Sequence, residues 1–186
     1  MSNFATLLTW FSLILLFHGI FTQRPNCLLN KDSGKGKDAV QKFYFNNKWN
    51  TCFGFKYNGK GGNGNKFDSY SECMSECAGA DGSMCNGPSP SKSPINSPAF
   101  DCDTAKCPKG YKCTFGMMVQ CCEEKQYDAI QAAFAEKCPD GSNSGGSKDK
   151  GYFEAVFGET CADLVCKKGQ KCVQVNKHFA KCCDGK

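Results

Sequence analysis

Sixteen cysteines and two histidines hold most of the reactive capacity of this 186-residue chain. Their spacing selects among metal binding, nucleophilic catalysis and cross-linking. Zinc would need paired C-x2-C knuckles of thiolates, whereas the short intervals here are x3, x4, x5 and x0. Cys-His or Ser-His-Asp chemistry would rest on His178, because His18 falls in an apolar leader. His178 lies inside a cysteine-dense stretch and reads as a solvated surface side chain. The expectation is a non-enzyme with no cofactor and no metal. Cross-linking is the use that fits, since cysteine makes up roughly 10% of the chain beyond the leader, the density of an oxidised extracellular scaffold.

The leader is Met1 to Thr22, with an apolar block over Leu7 to Phe17 and no Lys or Arg before Arg24. It reads as a signal peptide over 1–22, the alternative being an uncleaved anchor. No later stretch approaches the roughly 18 to 20 apolar residues of a membrane span, so no membrane partner is expected. The formal net charge of +5 is spread over mixed Lys-Asp and Lys-Glu runs without interleaved aromatics, which argues against nucleic acid.

The cysteines fall into three blocks, each of even count: Cys27, Cys52, Cys73 and Cys77; then Cys85 to Cys122; then Cys138 to Cys183. The second and third repeat one another, C-x16-C-x4-C-x5-C-x7-C-C against C-x22-C-x4-C-x5-C-x9-C-C, which marks a duplicated module. Six cysteines allow 15 pairings, and spacing alone does not choose among them. Gly87 to Pro94 reads as an extended loop and Gly141 to Ser147 as a flexible one. Between the copies, Tyr127, Ile130 and Phe134 recur at helical spacing and predict a short amphipathic helix within 123–137. The expected divisions are 23–79, 80–122, the connector 123–137, and 138–186.

In the first block, Val40 to Asn46 and Cys52 to Tyr57 are Phe- and Tyr-rich strand candidates around a turn at Asn47 to Asn50. Ser69-Tyr70-Ser71-Glu72 opens a capping box, which predicts a helix over Ser69 to Cys77. That helix presents Cys73 and Cys77 on one face. One of them can reach Cys52 and the other Cys27.

The span from Arg24-Pro25-Asn26-Cys27 to Cys77 resembles the Kunitz-type (pancreatic trypsin inhibitor) domain. Its intervals, x24, x20 and x3, equal that family's C-x8-C-x15-C-x7-C-x12-C-x3-C with the second and fourth cysteines removed. Phe43-Tyr44-Phe45-Asn46, Phe55-x-Tyr57-x-Gly59, Asn65-x-Phe67 and Glu72-Cys73-Met74 share the resemblance. It implies a small disulfide-rich α+β fold, a Kunitz-like hairpin plus C-terminal helix, followed here by two cysteine-rich loop/β modules. It also implies the bridges Cys27–Cys77 and Cys52–Cys73. Gly36 and Lys60 stand where the family has its remaining bridged pair.

By the same resemblance Gly34, Lys35, Gly36, Lys37, Asp38 and Ala39 form the protease-binding loop, and Asn58, Gly59 and Lys60 the neighbouring loop. Lys37 takes the position that enters a protease's specificity pocket, and suits the acidic pocket of a trypsin-like serine protease. Asp38 departs from the usual small residue. With six glycines at 34, 36, 59, 61, 62 and 64 and no bridge, both loops are expected to be flexible in isolation. Restoring the bridge through Gly36→Cys with Lys60→Cys is expected to strengthen inhibition. The later blocks resemble the lustrin-type cysteine-rich repeat through Cys107-Pro108-x-Gly110-Tyr111-x-Cys113 and the vicinal pairs Cys121-Cys122 and Cys182-Cys183. Two functions follow: secreted, extracellular inhibition of a serine protease, or a non-inhibitory protein that uses the same fold as a scaffold for extracellular matrix partners.

Overall fold

The computed structural model describes residues 25–79 and 83–185. The expected signal peptide over 1–22 lies outside them, as do residues 80–82 beside the first expected boundary.

Strands β1 (Val40–Asn46) and β2 (Thr51–Tyr57) pair antiparallel, with Tyr44 opposite Phe53 and Phe45 opposite Cys52. Their β-branched and aromatic side chains fit a pleated, buried surface. Asn50 makes the turn possible by adopting φ +47°, a conformation that asparagine tolerates better than most residues. Helix α1 (Tyr70–Cys77) starts where Ser69 Oγ accepts the Glu72 N–H at 3.1 Å. The Glu72 carboxylate reaches back to the Asp68 N–H at 2.8 Å. The helix is bridged through Cys73 to Cys52 on β2 and through Cys77 to Cys27 in the 3-10 turn Pro25–Leu28. Asn65 is fully buried among these elements. Its amide accepts from Phe45 N and donates to the carbonyls of Phe45 and Leu29, so one side chain ties three segments.

The second and third blocks share one connectivity. Cys85–Cys122, Cys102–Cys113 and Cys107–Cys121 correspond in order to Cys138–Cys183, Cys161–Cys172 and Cys166–Cys182. Each block is built on a hairpin, β3 (Tyr111–Phe115) with β4 (Val119–Glu123), and β8 (Gln170–Gln174) with β9 (Ala180–Asp184). Neighbouring residues on a strand point to opposite faces, so each vicinal cysteine pair staples its hairpin from both sides. The third block adds β5 (Gly146–Ser147) paired with β6 (Glu154–Ala155), and β7 (Phe157–Gly158) on the edge of β9. Helix α2 (Glu124–Phe134) follows β4, with the Glu123 carboxylate accepting the Gln126 N–H at its start.

The modules share one core: Tyr44, Trp49, Phe53, Phe55 and Tyr57 of the first hairpin pack with Ile130 and Ala133 of α2 and with Ala155, Phe157 and Phe179 of the third block. Phe53 meets Phe157 and Phe179 at 5.5 Å between ring centroids, and Trp49 meets Phe179 edge-on at 4.6 Å. Each such ring contributes about 2 to 3 kcal/mol by leaving water. Gly54 and Gly158 let the two chains approach, since a Cβ on Gly158 would lie 3.0 Å from the Gly54 carbonyl.

Gly141 to Ser147 is folded rather than flexible. Ser144 N donates to Glu136 O, Gly145 N donates to Cys182 O at 2.7 Å, and Gly146 joins β5 in a space where a Cβ would meet the Phe153 ring at 2.5 Å. Glycine serves there for close approach. His178 is half-buried, not a solvated surface group, with its ring 4.9 Å from that of Trp49. Burial first, then Lys177 and Lys48, hold its pKa below the ordinary 6.5.

Candidate functional site

The segment that the resemblance assigns to protease binding caps the end of the first hairpin away from Trp49. Lys35, Gly36, Lys37 and Asp38 are exposed, while Gly34 and Ala39 are half-buried. Across from them Gly59 and Lys60 are exposed and Asn58 is half-buried.

The two loops are paired through their backbones at the place where the family's bridge would lie. Lys35 N donates to Lys60 O at 2.7 Å and Lys60 N to Lys35 O at 2.9 Å. Asn58 N donates to Ser33 O at 2.9 Å, and the Asn58 side-chain amide donates to Gly34 O at 3.3 Å. Asp32 Oδ1 accepts the Gly34 N–H at 2.9 Å and closes a local turn ahead of the loop. On the opposite side Tyr57 OH donates to Gly61 O at 2.8 Å, and Lys66 Nζ lies 3.9 Å over the Tyr57 ring. The glycines are therefore in use: Gly34, at φ +63°, leaves room for the Lys60 carbonyl, which a Cβ would approach to 2.3 Å. The flexibility expected from composition gives way to a hydrogen-bonded frame.

Gly36 bears on the restored bridge. It sits at φ +125°, and a Cβ there would stand 2.3 Å from the Asn58 carbonyl oxygen. A cysteine at 36 could reach position 60 only after the backbone rearranged, so the simple double replacement does not suit this loop. The reason is conformational, because this φ is open to glycine and strained for every other residue.

Sequence reasoning placed Lys37 and its neighbours in one loop but missed the groups that hold them. Asp32 was legible in principle, since Asp32-Ser33-Gly34 is a turn signature. Gln41 was not. Its side chain accepts the Val165 N–H at 2.8 Å and donates to Phe55 O at 3.1 Å and Asp163 O at 3.4 Å, linking β1 to the third block. Lys31 does the same by ion pairs to Asp163 at 2.5 Å and Glu159 at 3.4 Å. These contacts span more than 120 residues of sequence, beyond any local signal.

Among the described residues no cluster of His, Cys, Asp or Glu is placed to hold a metal ion, all 16 cysteines are bridged, and no helix is long and apolar enough to cross a membrane. What the loop offers is an exposed stretch of main chain that carries the exposed side chain of Lys37.

Comparison with known proteins agrees with the frame. The family model for the Kunitz/bovine pancreatic trypsin inhibitor domain matches residues 26–78, the hairpin, loops and α1. The Major allergen Ani s 1 of Anisakis simplex is 29% identical over 171 residues, covering 86% of this chain and 87% of that protein. The BPTI/Kunitz inhibitor domain-containing protein C02F12.5 of Caenorhabditis elegans is 31% identical over 145 residues, covering 76% and 78%. The Kunitz-type serine protease inhibitor LmKTT-1b of Lychas mucronatus is 38% identical over 66 residues, which is 36% of this chain and 82% of that one. The first two alignments are longer than the 26–78 domain, so they extend beyond it. From the hairpin-and-helix frame at 26–78 and from a relative aligned along most of both lengths, the chain belongs to the Kunitz/bovine pancreatic trypsin inhibitor family.

Proposed function

We propose that the protein is a secreted inhibitor of a trypsin-like serine protease, with Lys37 entering the acidic specificity pocket and Gly34 to Ala39 and Asn58 to Lys60 making the contact. In this reading residues 23–79 form the inhibitory module, 80–122 and 138–186 are accessory modules joined by 123–137, and the third block buttresses the hairpin. The observation that carries it is the exposed Lys37 two residues beyond the paired Lys35–Lys60 backbones. Pairing fixes the loop before binding and lowers the ordering cost of the complex. Two backbone hydrogen bonds contribute about 1 kcal/mol each. A bridge would contribute roughly 2 to 4 kcal/mol. The tether is softer than the family's, and inhibition is accordingly reversible and accompanied by slow cleavage between Lys37 and Asp38.

The test is to mix the chain lacking residues 1–22 with purified trypsin and follow residual activity, with mass spectrometry of the products. Substoichiometric loss of activity, slow scission after Lys37 and loss of both in Lys37→Ala would support the reading. Asp38 and the absent bridge favour the second reading, a non-inhibitory extracellular scaffold with matrix partners. No inhibition and no complex with any trypsin-like enzyme would leave that second reading standing.

A further inference from the structure

Six of the eleven large apolar side chains that stand exposed among the described residues lie between residues 83 and 122. Four of them gather at the end of the second block's hairpin. Phe115, Met117 and Met118 are 61%, 82% and 65% exposed, and Met84 lies against Gly116, where a Cβ would meet its Cγ at 2.4 Å. From Cys113 to Cys122 the chain carries no charged residue, and Lys112 just before it is paired with Asp128 and Glu124.

The strand that leads to this tip has an open edge. Cys121 on β4 exchanges backbone hydrogen bonds with Lys92, at 2.8 and 2.9 Å, and Glu124 N donates to Gly110 O. Antiparallel pairs alternate, so Lys112 and Thr114 turn their backbone groups toward β4 while Cys113 and Phe115 turn theirs away. β3 pairs with β4 alone, and among the described residues no hydrogen bond reaches the backbone N–H or C=O of Cys113 or Phe115. The third block, a copy of the second, supplies the comparison. It has Gln174 at the place of Phe115, and its hairpin end is covered within the chain, where His178 and Phe179 lie against Trp49.

We propose that the chain self-associates through the second block, β3 pairing antiparallel with β3 of a second copy about a two-fold axis at Thr114. In that register Cys113 and Phe115 of one copy exchange backbone hydrogen bonds with Phe115 and Cys113 of the other, so the open groups of both residues find partners. The lack of charge suits a surface that meets its own copy, since identical charges would face one another across the axis. With roughly 200 Å² to a large side chain, Met84, Phe115, Met117 and Met118 leave about 500 Å² bare on each copy, and a contact of about 1,000 Å² in all belongs with transient complexes. The dimer is accordingly weak and concentration-dependent. The second block attaches to the first hairpin at its Asn50 turn, the end opposite Lys37, and the dimer does not depend on the inhibitor reading.

The test applies sedimentation equilibrium and residue-resolved amide hydrogen exchange to the chain lacking residues 1–22, at about 5 and about 500 μM. Dimer mass is expected at the higher concentration, with exchange slowed about 3- to 10-fold at Cys113 and Phe115 and unchanged at Cys172 and Gln174, the corresponding residues of the third block. Phe115→Lys with Met117→Lys should weaken association at least about 10-fold while β4 keeps its protection, and Gln174→Lys should associate like the parent. A parent that stays monomeric at the higher concentration overturns the proposal, and its co-sedimentation with phosphatidylcholine vesicles would then give the tip to a bilayer surface. A dimer that leaves exchange at Cys113 and Phe115 unchanged, or that tolerates the 115/117 pair, overturns it as well.

Discussion

Gly36 governs how firmly the loop is held. At φ +125° it lets the chain pass under the Asn58 carbonyl, and a side chain would both strain the backbone and overlap that oxygen. Gly36→Ala is expected to cost about 1 to 3 kcal/mol of local stability. It should appear as several-fold faster cleavage after Lys37 on incubation with trypsin, with the bridges intact. Lys181 makes a different residue-scale case. It is fully buried, its ammonium donates to Ala132 O and Ala135 O at the end of α2, and burial lowers its pKa from 10.5 to about 8. The unfolded chain then binds a proton that the folded chain lacks between pH 8 and 10.5, so this group makes stability rise with pH across that window and adds no slope below it. The rise is at most about 3 kcal/mol. By chemical denaturation, the stability of the parent relative to Lys181→Met should rise by this amount between pH 7.5 and 10.5.

At the scale of elements, the first hairpin and third block meet where side chains are smallest. A Cβ on Gly54 would come 2.8 Å from the Gln41 amide nitrogen and 3.2 Å from the Phe157 carbonyl. Gly54→Val is expected to push β7 off β2 and cost about 1 to 3 kcal/mol. Limited proteolysis should then cut between α2 and β5 while the disulfide map is unchanged. The hairpin, α1 and α2 were legible because aromatic-rich runs flanking a turn, a capping box and helical spacing are local patterns, and Ser69 at the cap and Ile130 in the core are where those patterns put them. The Lys35–Lys60 pairing and the burial of Phe157 and Phe179 were not legible. The first depends on backbone groups that every residue carries, and the second on a surface formed more than 100 residues earlier in the chain. Gly141 to Ser147 misled for a related reason, since glycine marks both flexible chain and close approach and composition does not separate the two.

At the scale of the whole molecule, stability divides unevenly among the three cysteine blocks. The second is attached to the first mainly through polar contacts, such as the Asn86 amide on the carbonyls of Trp49 and Asn50, while the third shares an aromatic core with it. Cys52→Ala with Cys73→Ala removes a bridge worth about 2 to 5 kcal/mol. Its effect should spread to the third block and spare the second. Hydrogen exchange followed by mass spectrometry is expected to show lost protection in β1, β2, β7 and β9, and retained protection in β3 and β4. Retained protection at β7 and β9 would show that the third block stands without its platform. Trp49, the only tryptophan among the described residues, packs against Phe179 and His178 of that block. Its indole emission is thus an optical gauge of whether the two parts are joined. Docked, it should emit at short wavelength and dim when acid protonates His178 at a pH below 6.5; undocked, it should shift to the red and lose that pH response.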